Sequence, residues 1–116
     1  MKNSELKDYL TQSLTLLAEK PPVQLKLLNA LPIDEIALIA EDIEPFCHNL
    51  IENSPKNKNI RNVYEIVKII NQYFTFMTTN DDESFWEPED LKRTEWNHIR
   101  FLAQKALENL SNSDFD

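Results

Sequence analysis

The sequence predicts an all-α protein, and three observations carry that reading. Glycine is absent from all 116 residues. Tight hairpin turns, phosphate-cradling loops and dinucleotide fingerprints need residues that take positive φ freely, so its absence argues against β-rich folds and nucleotide-binding enzymes. Apolar residues recur at three- and four-residue spacing over long segments. Prolines and asparagine-rich stretches separate those segments. The length suits one helical domain over residues 1–110, with a frayed polar tail at 111–116. The architecture reads as an irregular or four-helix-like bundle of four longer helices and one short one.

Ser4 suits an N-cap, and Glu5 and Asp8 suit the positive end of a helix dipole. Leu6, Tyr9, Leu10, Leu14 and Leu17 then place one amphipathic helix before the Pro21-Pro22 stop. Val23, Leu25, Leu27, Leu28 and Leu31 predict a short apolar helix that Pro22 can open and Pro32 ends. In the third segment Ile36, Ile39, Ala40, Ile43, Phe46, Cys47 and Leu50 share about a third of a helical wheel. Their register runs through Pro45 without slipping, which favours one kinked helix, with a break and restart at Pro45 as the alternative.

Residues 53–59 read as a loop. From Ile60 to Thr79, a stripe of Ile60, Val63, Val67, Ile70, Phe74 and Met77 is widened by Ile66, Ile69, Tyr73 and Phe76. So broad an apolar arc places this helix in the middle of the bundle. Residues 80–87 read as a second loop, with Pro88 in the first turn of a final helix. Leu91, Trp96, Ile99, Leu102, Ala103, Ala106 and Leu110 form that helix's expected core face.

Charge is the most informative feature for function. From Leu27 to Pro55 the acids Asp34, Glu35, Glu41, Asp42, Glu44 and Glu52 occur without one Lys or Arg. From Asp81 to Asp90 a second base-free block holds Asp81, Asp82, Glu83, Glu87, Glu89 and Asp90. Removing those twelve from the twenty acids leaves eight against twelve bases, a net +4 on the remainder of a chain whose total is −8. Segregated charge of this kind points a field at something positive.

Chemistry of other kinds has little to stand on. Glu95 and His98 form a single Glu-x-x-His, where a di-iron bundle needs that motif twice. One Cys and two His supply no zinc site. His48 shares a helix face with Glu44 and Glu52, a pattern compatible with a weak cation patch but more ordinary as a solvated histidine. Cys47 falls on the apolar face, where a thiol is inert packing, and no glycine-dependent nucleophile elbow exists. Paired acids on an open helix face stay solvated rather than forming an acid–base couple. The chain is therefore expected not to be an enzyme and to bind no cofactor or metal. Leu31 to Ala37 faintly resembles the first helix of a helix-turn-helix, but the helix that follows carries acids only, which disfavours direct nucleic-acid binding. A lone cysteine, no apolar leader after Met1 and no long apolar run suggest a cytoplasmic protein without membrane attachment.

Protein binding remains, and misplaced apolar residues support it. Leu38 projects from the acidic side of its helix, Phe85 and Trp86 sit inside the second acidic block, and Phe101 points away from its helix's core face. An apolar anchor ringed by charge is the usual composition of an interface hot spot. The expected partner-binding residues are Asp34, Glu35, Leu38, Glu41, Asp42, Asp81, Asp82, Glu83, Phe85 and Trp86, with a core plug as the alternative role for Phe85-Trp86. The function read from the sequence is a small acidic module, monomer or weak homodimer, that neutralises a basic protein. Its most concrete form is an immunity or inhibitor protein for a nuclease toxin. The alternatives are a self-associating structural or regulatory protein, or an accessory subunit or adaptor of a larger complex.

Overall fold

The computed structural model describes residues 3–28, 31–79 and 85–112, and among these it has five α-helices and a 3₁₀ turn at Pro88–Lys92. Among the described residues there is no strand. The helices are α1 (Asn3–Ala18), α2 (Pro21–Leu28), α3 (Glu35–Asn53), α4 (Lys58–Thr79) and α5 (Thr94–Ser111). The four longer helices pack around a square: α1 touches α3 and α5, and α4 touches the same two. Neighbours run antiparallel, as Tyr9 stacking on Phe46 and Asn59 reaching the Asn112 carbonyl require.

Each longer helix turns its sequence stripe into the square. Leu6, Leu10, Leu14 and Leu17 from α1 meet Ile36, Ala40, Ile43, Cys47 and Leu50 from α3. Val63, Val67, Ile70, Phe74 and Met77 from α4 meet Trp96, Ile99, Ala103, Ala106 and Leu110 from α5. These side chains are essentially dry, and their burial dominates the fold's stability. α3 is unbroken from Glu35 to Asn53 although Pro45 lies inside it. Pro45 is exposed, so the backbone acceptor it leaves without a donor lies on the open side of the helix.

Two expectations from the sequence need correction. α4 is not central, because it occupies one corner of the square, and the residues that widen its stripe spill outward: Phe76 is 54% exposed and Ile69 is exposed beside it. Pro88 does not open the last helix either. On a continuous helix Leu91 and Trp96 would point about 140° apart. A separate 3₁₀ turn and an extended Arg93 (φ −68°, ψ 159°) let both side chains enter the core fully buried. Glu87 and Asp90 cap the turn reciprocally, the Glu87 N–H donating to Asp90 Oδ2 at 3.1 Å.

α2 also differs from its sequence pattern. Val23, Leu25 and Leu27 are exposed, while Gln24 and Leu28 are buried. Gln24 Nε2 donates to the Leu16 and Leu17 carbonyls at 3.1 and 3.2 Å, satisfying acceptors orphaned in the last turn of α1. Gln24 Oε1 accepts from Arg100 Nη1 at 3.1 Å. Arg100 is only 7% exposed, and its Nη2 also donates to the Leu91 carbonyl and to Asn97 Oδ1. Burial holds its pKa below the ordinary arginine value. These neutral acceptors tie α1, α2, the 3₁₀ turn and α5 together at one end of the bundle.

Replacing Gln24 by Leu is expected to cost about 2–3 kcal/mol in urea denaturation, because it removes the acceptor of Arg100 Nη1 and the donor to two carbonyls. Combined with Arg100→Met, the losses should fall short of their sum by about 1 kcal/mol or more. Strictly additive losses would show that the two side chains act separately.

Candidate functional site

The acidic helix α3 and the end of α4 enclose an open groove of about 710 Å³. Asp34, Glu41 and Glu44 form its α3 side, and Asn71, Thr75, Thr78 and Thr79 its α4 side. Ala37, Leu38, Phe74 and Trp86 supply the apolar surface between them. Among the described residues no Lys, Arg or His lines the groove.

Helical geometry explains why these residues meet. Once Ile36, Ala40, Ile43 and Cys47 face the core, positions 34, 37, 41 and 44 fall on the flank next to α4, with 38 at its outer edge. Leu38 is 51% exposed, an unusual position for a leucine amid acids. Pro45 lacks an N–H, so the Glu41 carbonyl has lost its intrahelical donor and adds an acceptor beside the Glu41 carboxylate. The ion pairs of the described residues join His48 to Glu52, Lys68 to Glu65 and Lys105 to Glu108. The groove acids take part in none of these. Among the described residues these three carboxylates have no ion-pair partner, and beside a low-dielectric apolar wall they concentrate negative potential in the concavity.

The aromatic wall is built from α4, α5 and the segment entering the 3₁₀ turn. Trp96, fully buried, donates its Nε1–H to the Phe85 carbonyl at 2.9 Å. That bond draws residues 85 and 86 against the bundle. The Trp86 ring then stacks on Phe74 at 6.3 Å between centroids and meets the Trp96 ring edge-on at 6.0 Å. Trp86 stays partly exposed, and its open surface faces the groove.

The structure therefore gathers Asp34, Leu38, Glu41 and Trp86 at one place, and adds Glu44, which the sequence reading left out of the contact set. It separates others. Glu35 and Asp42 do not line the groove; Asp42 lies one turn before Phe46, which packs on Tyr9 of α1, so this flank belongs to the α1–α3 edge. Phe85 is no surface anchor: it is 4% exposed, its ring meets Phe76, and the Arg93 guanidinium covers it at 4.9 Å. It is a plug, because a ring with the Trp96 bond at its own carbonyl has nowhere to go but inward. Asp81, Asp82 and Glu83 lie outside the described residues.

The remaining candidates fall on ordinary surface or core. His48 Nε2 meets Glu52 Oε1 at 3.0 Å on exposed surface, with the Tyr64 ring nearby. His98 Nδ1 is 2.9 Å from the Tyr73 hydroxyl, between α4 and α5. Among the described residues no group of three or more His, Cys, Asp or Glu side chains is placed to hold a metal ion. Cys47 is fully buried, and burial, aided by nearby Glu44, pushes its thiol up to about 12. Among the described residues no helix is long and apolar enough to cross a membrane.

No family model, curated protein or solved structure gives a significant match to the chain. The groove's own geometry is what remains to argue from.

Phe85→Ala is expected to lower stability by about 3 kcal/mol or more, the cost of emptying an aromatic core site. A loss under about 1 kcal/mol in thermal or urea unfolding would return Phe85 to the surface.

Proposed function

We propose that this protein is a small acidic binding module that neutralises a basic protein partner through the α3–α4 groove. One observation carries the reading: Asp34, Glu41 and Glu44 share a concavity with Leu38 and Trp86 and, among the described residues, have no basic neighbour in it. Carboxylates steer a positively charged partner at long range, and the half-buried apolar surface sets how slowly it leaves. The most concrete partner is a nuclease toxin, with this chain as its immunity protein. A nuclease must hold phosphates with a basic site, and a negative face is the complement of that site.

Self-association is favoured by a different observation, the exposed Ile69, Phe76 and Phe101 on α4 and α5. Sedimentation at micromolar concentration separates the two readings, since a stable dimer insensitive to groove substitutions supports the second.

The direct test is kinetic. With the partner recovered by co-purification from native cells, association should slow steeply with added salt. Asp34→Asn, Glu41→Gln and Glu44→Gln together should reduce the association rate by about tenfold at low salt and flatten the salt dependence. Unchanged affinity of the triple variant at low salt would remove the groove from the interface.

A further inference from the structure

We propose that the groove takes a basic amphipathic α-helix of the partner, with arginines or lysines on one edge and an aliphatic side chain seated on Trp86. This rests on reading the groove as the contact face and specifies what enters it. The two sides are chemically unlike. Among the described residues the groove's charge lies along α3, at Asp34, Glu41 and Glu44, while the polar side chains α4 offers are Thr and Asn. An occupant must therefore be positive along one edge, polar along the other and apolar beneath, which is amphipathicity.

The walls decide its backbone conformation. Both are α-helices whose main-chain groups, the Glu41 carbonyl apart, bond within their own helices, so no strand edge exists for an extended peptide to join. An occupant that leaves water for this groove must satisfy its own N–H and C=O groups, and a helix does so internally. Spacing agrees with this. Asp34 and Glu41 are seven residues apart, about 10 Å along α3, and Leu38 lies between them. A helix laid alongside repeats its own face over the same distance, so basic residues at i and i+7 meet the two carboxylates while an apolar residue at i+3 or i+4 meets Leu38 and Trp86. The groove is open and shallow, which suits one face of a helix rather than its whole girth.

Trp86 is the reporter, because Trp96 is fully buried and will not respond. The probes are three synthetic peptides of about 15 residues, long enough to form a helix on binding. One carries Arg at i and i+7 with Leu at i+4; one has the same composition scrambled; one keeps the order but has a central Pro. The ordered peptide should shift and saturate Trp86 emission, and the shift should vanish in Trp86→Phe. The scrambled and Pro-broken peptides should bind at least about tenfold more weakly. Equal binding by all three would overturn the helix inference while leaving a basic partner in place. Silence from all three while the recovered partner still moves Trp86 emission would overturn it as well. Silence from the partner too would sink the groove reading itself.

Discussion

Burying Ile36, Ala40, Ile43, Cys47 and Leu50 along one side of α3 leaves Asp34, Leu38 and Glu41 no direction but outward, beside α4. The site is a by-product of that constraint. A 3.6-residue period fixes which residues can share a flank, and core packing fixes which flank meets which neighbour. Asp34, Glu41 and Glu44 all precede Pro45, so one uninterrupted helical stretch keeps them in phase.

Charge alone makes a solvated face, and the aromatic wall is what turns this one into a concavity. The Trp96 hydrogen bond to the Phe85 carbonyl inserts Phe85 into the core and lays Trp86 against Phe74. The same end of the molecule carries the Gln24–Arg100 network, where a buried guanidinium is held by neutral oxygens rather than a carboxylate. Leaving such a cation without hydrogen bonds would be costly, so this corner admits few alternative arrangements. The rigid elements thus lie behind the groove, and its open side carries the carboxylates.

Periodicity made the all-α class, the four long helices and most core residues readable from the chain, since stripes such as Leu6-Leu10-Leu14-Leu17 answer directly to burial. The groove's lining was readable only in part. Asp34, Leu38, Glu41 and Trp86 converge, but a wheel drawn for α3 alone cannot say that Glu35 and Asp42 turn toward α1 while Glu44 turns toward α4. Phe85 and Trp86 are adjacent and both aromatic, and only the Trp96 bond distinguishes the plug from the wall. The burial of Gln24 and Arg100 was not legible, because burial of polar groups depends on partners distant in sequence, here 76 residues apart. The break at Arg93 was hidden for the same reason: it is set by the core demands of Leu91 and Trp96 together, not by local propensity.

The groove between the acidic helix and its neighbour is the central claim, and amide chemical-shift mapping with the recovered partner tests it most directly. The account requires the perturbed residues to cluster at Ala37, Leu38, Glu41, Asn71, Thr75 and the Trp86 indole, with α1 and the outer face of α5 quiet. Perturbations centred on Phe101, Lys105 or the exposed face of α2, with Leu38 and Trp86 unmoved, would contradict it.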